Sequence, residues 1–212
     1  MLPAIARRMM LRVIPLVLVV VVSAPALAQA HAGLPPRDLV AFIREGGYII
    51  FIRHAQTERD YADQVDAVMG DCSTQRTLSE AGWRRAILIG SAFDRLGIPV
   101  GDVISSEYCR SWQTAALAFG RYQTNSNLNF EPAEDYTPVQ LEAMRSRMSF
   151  LLSHNPGAGL NTILIGHDDP FEAATGIYPE PMGVAFVIRP TMAGEFEVLG
   201  SIPPDGWNDI DD

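Results

Sequence analysis

Past an apolar N-terminus, the chain alternates short continuous apolar runs with longer amphipathic stretches. Between residues 35 and 45 the apolar Leu39, Val40, Phe42 and Ile43 gather on one side and Gly46-Gly47 follows, which predicts a helix. Residues 48–52 are short and uniformly apolar, the signature of a strand buried on both faces. Ser79 is a good N-cap for a helix carrying Ala86, Ile89 and Phe93 and ending near Gly97. A second strand is predicted at 102–105 and a helix at 110–119. Thr137-Pro138-Val139-Gln140 combines an N-cap, a proline at the first helical position and a glutamine at the third, so a helix should run from there to 152, before the breaker Asn155-Pro156-Gly157. Further strands are predicted at 162–165, 183–188 and 195–199. Trp83 and Trp112 fall within helical patterns and are expected in the core, whereas residues 205–212 read as an acidic tail without structure.

Strands alternating with helices predict an α/β fold: a three-layer α/β/α sandwich around a mainly parallel sheet. Ligands of such sheets bind beyond the carboxyl ends of the strands. There the pattern becomes informative. The first strand runs into Arg53-His54, the second through Ser105-Ser106 towards Arg110, and the third through Gly166 into His167-Asp168. Two arginines and two histidines brought to one sheet edge make an anion site. Guanidinium groups offer planar paired donors to phosphate oxygens, and imidazole can act as a nucleophile. Arg59 and Arg76, in the loop after the first strand, can widen that site. His31 and His154 lack such surroundings and read as surface residues.

Charge and the chain start refine this picture. Arg7, Arg8 and Arg12 precede an apolar run over 13–22 and the small-residue site Ala26-Leu27-Ala28, the layout of a secretory signal peptide. The expected organisation is therefore a signal peptide at 1–28 and a single domain over 29–212, with Ala28-Gln29-Ala30 and Ala30-His31-Ala32 as alternative cleavage sites. A retained anchor is the rival reading, but the apolar stretch is shorter than the roughly 20 residues of a spanning helix. Cleavage after Ala28 removes three arginines and no acid, taking the net charge from −9 to −12. So acidic a protein is a poor partner for nucleic acid, and its anion site must be a local concentration of charge. All sixteen basic residues are arginine. An exported location, periplasmic or secreted, favours a disulfide between the two cysteines, Cys72 and Cys109.

Four segments carry a family resemblance. Phe51-Ile52-Arg53-His54-Ala55-Gln56-Thr57 resembles the R-H-G motif of the histidine phosphatase superfamily, which includes phosphoglycerate mutases and acid phosphatases. Ser105-Ser106-Glu107-Tyr108-Cys109-Arg110, followed by Gln113-Thr114-Ala115, resembles its second signature. Leu78-Ser79-Glu80-Ala81-Gly82 is similar to the turn between them, and Ile165-Gly166-His167 to the strand that carries the second histidine. The match spans residues 48–188 in the family's order. It implies a phosphoglycerate mutase-like fold and a metal-independent, cofactor-independent phosphomonoesterase acting on a small phosphorylated substrate. His54 would form a phosphohistidine intermediate. Arg53, Arg110 and His167 would bind the phosphoryl oxygens, and a carboxylic acid would protonate the leaving oxygen.

The departures from the family pattern are specific. Ala55 replaces the usual glycine, which preserves the turn provided its backbone is not left-handed. Asp168-Asp169 after His167 resembles the H-D motif of the acid-phosphatase branch, so Asp168 is the favoured proton donor and Glu107 the rival; Asp168 can instead cap the short helix that follows. The mutases' acidic segment is not recognisable, and a mutase would need a bisphosphate donor outside the cytoplasm. Two other functions fit the residues: a non-catalytic phosphate-binding module on the same fold, and a zinc protein using Cys72, Cys109, His54 and His167, against which Arg53 and Arg110 would act by repulsion.

Overall fold

The computed structural model describes residues 33–58, 65–133, 135–192 and 194–210. The predicted signal peptide, His31 and Arg59 lie outside the described residues. No helix among the described residues is long and apolar enough to cross a membrane.

Among the described residues six strands form one sheet: β1 (Ile49–Arg53), β2 (Val100–Ser105), β3 (Gln123–Thr124), β4 (Asn161–Gly166), β5 (Ala185–Pro190) and β6 (Phe196–Ile202), in the order β3-β2-β4-β1-β5-β6. β1 to β4 run parallel, β5 pairs antiparallel with β1, and β6 pairs antiparallel with β5. Helices α1 (Pro36–Glu45), α2 (Glu80–Arg95), α3 (Cys109–Phe119), α4 (Pro138–Leu152) and α5 (Asp168–Thr175) cover the sheet.

The strand alternation divides the core into two layers. Ile50 and Ile52 of β1, Ile163 and Ile165 of β4 and Val187 of β5 pack with α1 and α2 residues such as Leu39, Ile43, Ile89 and Phe93. Ile49, Phe51, Leu164 and Phe186 face the other way, onto Met148 and Leu152 of α4 and Phe171 of α5. Every residue of β1 is buried, which explains its unbroken apolar run. The predicted capping box is present: the Thr137 side chain accepts from the Gln140 backbone N–H, while the Gln140 side chain reaches back to the Thr137 backbone.

The predicted elements are all present, with ends displaced by at most three residues. Three expectations fail. Trp83 is 51% exposed, because the buried stripe of α2 runs through Gly82, Ala86, Ile89, Gly90 and Phe93 and leaves Trp83 on its shoulder. Trp112 is only partly buried and stacks on Tyr122. The tryptophan that does enter this layer is Trp207, in the segment read as an unstructured tail. Gly206–Asp209 forms a 3-10 turn, and its carbonyl at Trp207 and the one at Ile210 accept from the Arg95 guanidinium. The acidic residues around Trp207 hid one large apolar side chain that docks on Phe93.

Candidate active site

Register places the predicted residues at one edge. Arg53 of β1 lies opposite Gly166 of β4, and Ser105 of β2 opposite Ile165. The pairing continues past the strands: His54 N–H donates to Gly166 O, and Ser106 N–H to Ile165 O. His54 and His167 leave adjacent strands side by side, their rings 5.4 Å apart and edge to face.

Both histidines are almost wholly buried. Burial is the largest influence on each and Arg110 the next, so both rings are held well below the ordinary histidine pKa; Arg53 and Arg76 add to the effect. They are therefore neutral at physiological pH. His54 Nδ1 lies 2.9 Å from Ala55 O. A carbonyl only accepts, so Nδ1 carries the hydrogen and Nε2 keeps its lone pair, the form a nucleophile requires. No non-glycine residue among those described has a positive φ, so Ala55 meets the condition for replacing glycine. Thr114 fastens this turn to α3: its hydroxyl donates to Arg110 O and accepts from Ala55 N–H.

A cavity of about 310 Å³ is lined by Arg53, Arg76, Arg110, Phe130, Asp168, Asp169 and Tyr178. Three arginines thus arrive from three separate segments. Arg110 is buried and lies against a stacked pair of aromatic rings, its guanidinium carbon 4.8 Å from the Tyr108 centroid and 5.4 Å from that of Phe130. Arg53 is held by carboxylates, Nη2 donating to Asp168 Oδ2 at 2.6 Å and Nη1 to Glu180 Oε2 and Pro179 O. Tyr178 closes this group, donating its hydroxyl to Asp168 and laying its ring against Arg53.

Cys72 and Cys109 form a disulfide. It joins the loop carrying Arg76 to the start of α3, where Gln75 Oε1 accepts from Cys109 N–H. Both sulfurs are thereby occupied, which removes the thiolates a zinc site would have used. Among the described residues no group of three or more His, Cys, Asp or Glu is placed to hold a metal ion.

The two candidate acids separate. Asp168 sits in the first turn of α5, whose N-cap is His167, so it lines the cavity and does not cap. Glu107 does not line the cavity; its Oε2 accepts from Asn129 Nδ2. Sequence reasoning missed Tyr178, Glu180, Phe130 and Tyr136, which come from irregular segments with no motif of their own. The nearest signal was Asp169, whose carboxylate accepts from the Tyr136 hydroxyl at 2.7 Å.

The fold matches known structures. A protein histidine phosphatase, SixA, solved with tungstate, superposes with a TM-score of 0.53 at 13% identity, over 74% of this chain and 97% of that one. A mutant phosphoserine phosphatase from Entamoeba histolytica, in complex with phosphoserine, gives 0.55 at 11% identity, over 75% and 98%. The fold is that of the histidine phosphatases. No family model and no curated protein sequence matches the chain. In this histidine phosphatase fold the mixed sheet brings His54 and His167 together at the ends of β1 and β4, next in sequence to the cavity-lining Arg53 and Asp168, while neither ring lines the cavity itself.

Proposed function

We propose that this chain is an exported phosphomonoester hydrolase that works through a phosphohistidine on His54. The observation that carries this reading is the setting of His54: a buried ring with Nδ1 engaged by Ala55 O, whose burial and whose neighbours Arg110, Arg53 and Arg76, the arginines that line one cavity, favour its neutral form. A free base beside a concentration of guanidinium charge suits in-line attack on a phosphoryl group. The arginines would neutralise the equatorial oxygens, and no metal would be required. Arg53, Arg110 and His167 are assigned to the phosphoryl group, with Arg76 as a further cation on the cavity wall and Arg59 as a candidate from the same loop.

The substrate is a small phosphorylated molecule, in keeping with the cavity's volume of about 310 Å³. Export is supported by the arginine-flanked apolar N-terminus and by the disulfide.

Purified protein should hydrolyse 4-nitrophenyl phosphate without added metal. His54→Ala should abolish turnover while retaining phosphate binding. Full activity in that variant would remove His54 from the mechanism; binding without turnover by the unaltered protein, across a broad panel of phosphomonoesters, would make it a binding module.

A further inference from the structure

Helix α5 opens with two consecutive aspartates, and both line the cavity. Their surroundings give them different chemistry. Asp168 is the anionic half of an ion pair with Arg53, and the same oxygen also accepts from Tyr178. Protonating it would weaken the hold on an arginine that the phosphoryl group needs in place. Asp169 is held by a neutral donor, the Tyr136 hydroxyl, at Oδ2. Glu107 is turned to Asn129 and lies off the cavity wall.

We propose that Asp169, not Asp168 or Glu107, protonates the leaving oxygen, with Asp168 positioning Arg53. The assignment rests on the phosphatase reading above. As His54 Nε2 bonds to phosphorus, the bond from phosphorus to the leaving oxygen breaks and the Asp169 carboxyl passes its proton to that oxygen. The resulting carboxylate then takes a proton from water, whose oxygen bonds to phosphorus while the Nε2–phosphorus bond breaks, releasing inorganic phosphate and restoring both residues. Burial favours the protonated form of Asp169, as does the charge of Asp168; the Tyr136 hydrogen bond, Arg53 and Arg110 oppose it. Two adjacent carboxyls in unlike environments are thereby divided between an acid role and an ion-pair role.

The test compares Asp169→Asn and Asp168→Asn on two substrates: 4-nitrophenyl phosphate, whose leaving group departs as an anion, and an alkyl phosphate that the unaltered enzyme turns over. Asp169→Asn is expected to lower kcat/KM on the alkyl phosphate by about 100-fold or more, the usual worth of a general acid, and on the nitrophenyl ester by less than about tenfold. Asp168→Asn should lower both by one common factor. A substrate-selective loss in Asp168→Asn or Glu107→Gln, or an unselective one in Asp169→Asn, overturns the assignment. Tyr136→Phe supplies a second readout: losing a bond that favours the carboxylate should move the alkaline limb of kcat/KM to higher pH, and an unmoved limb counts against Asp169. His54→Ala keeps the two levels apart. Activity there sinks the phosphatase mechanism itself, whereas an inactive His54→Ala beside an unselective Asp169→Asn sinks only the choice of acid.

Discussion

Ser106 Oγ lies 2.8 Å from His167 Nε2, and the bond has one permitted direction. Asn129 Oδ1 accepts from Glu107 N–H, and Asn129 Nδ2 donates to the Glu107 carboxylate, which fixes the amide's orientation. The single hydroxyl hydrogen of Ser106 must then go to Asn129 Oδ1, 2.7 Å away. Ser106 Oγ is left to accept, so Nε2 of His167 carries the ring's hydrogen. Nδ1 is the ring nitrogen left for an anion, and it is buried without a hydrogen-bond partner among the described residues. Glu107, a candidate acid in the sequence, thus has a place in the site as the far end of a chain that sets the His167 tautomer.

In this tautomer neutral His167 offers Nδ1 as a lone pair, so it must gain a proton before it can donate to a bound oxyanion. Binding of sulfate, a dianion throughout the neutral range, is therefore expected to draw a proton from solution. In Ser106→Ala the neutral ring is free to carry its hydrogen on Nδ1, and the uptake should shrink. Calorimetric titration in two buffers of different ionisation enthalpy measures it. Equal uptake in both proteins would contradict the directed chain.

Acid should destabilise the fold through the same two rings. Both His54 and His167 have pKa values depressed by burial, so the unfolded chain binds protons that the native state refuses. Their contribution is complete above the unfolded histidine value, about pH 6.5, and declines as pH falls through the window between that value and the depressed native ones. Urea midpoints taken between pH 8 and 5 should fall on the acid side, and the fall should lessen in His167→Gln. A flat profile would mean that the rings are charged in the native protein.

Most of the sheet edge was legible because continuous apolar runs end abruptly in charged residues, which pins Arg53, His54 and His167 to the carboxyl ends of their strands. The linkages of the site were less so. Tyr178 meets Asp168 and Glu180 meets Arg53 across irregular chain that has no periodicity to read. Asp168 and Asp169 are identical neighbours, and only the turn of α5 decides which faces Arg53 and which faces Tyr136. Trp83 and Trp207 show the opposite failures, one aromatic lost to a helix shoulder and one gained from an acidic tail.

The disulfide should serve both stability and anion binding. It closes a loop with a sequence separation of 37, for which chain entropy alone gives about 4 kcal/mol. A paired Cys72→Ser and Cys109→Ser variant is expected to unfold at a lower urea midpoint. It should also show a raised KM at temperatures where it remains folded, because the loop holding Arg76 then loses its covalent tie to α3, while the Gln75 hydrogen bond to Cys109 N–H is a weaker link. An unchanged KM would separate Arg76 from the substrate.

Gly82 sets how closely α2 approaches the turn behind the nucleophile. A Cβ there would stand 2.0 Å from Gln56 O, two residues past His54. That carbonyl is already fixed, since it accepts from Ser79 N–H at 2.9 Å. The helix can make room only by lifting away from the turn, at a cost of about 1–3 kcal/mol. Gly82→Ala should therefore lower both the urea midpoint and kcat/KM, the latter because the Ala55 carbonyl that orients His54 shifts with Gln56. Gly157→Ala is the control: its nearest neighbour would be the Leu160 side chain at 3.7 Å, an ordinary contact. That variant should keep full activity and gain up to about 1 kcal/mol from a stiffer unfolded chain. Full activity in Gly82→Ala would show that the turn tolerates displacement and that the close approach serves packing alone.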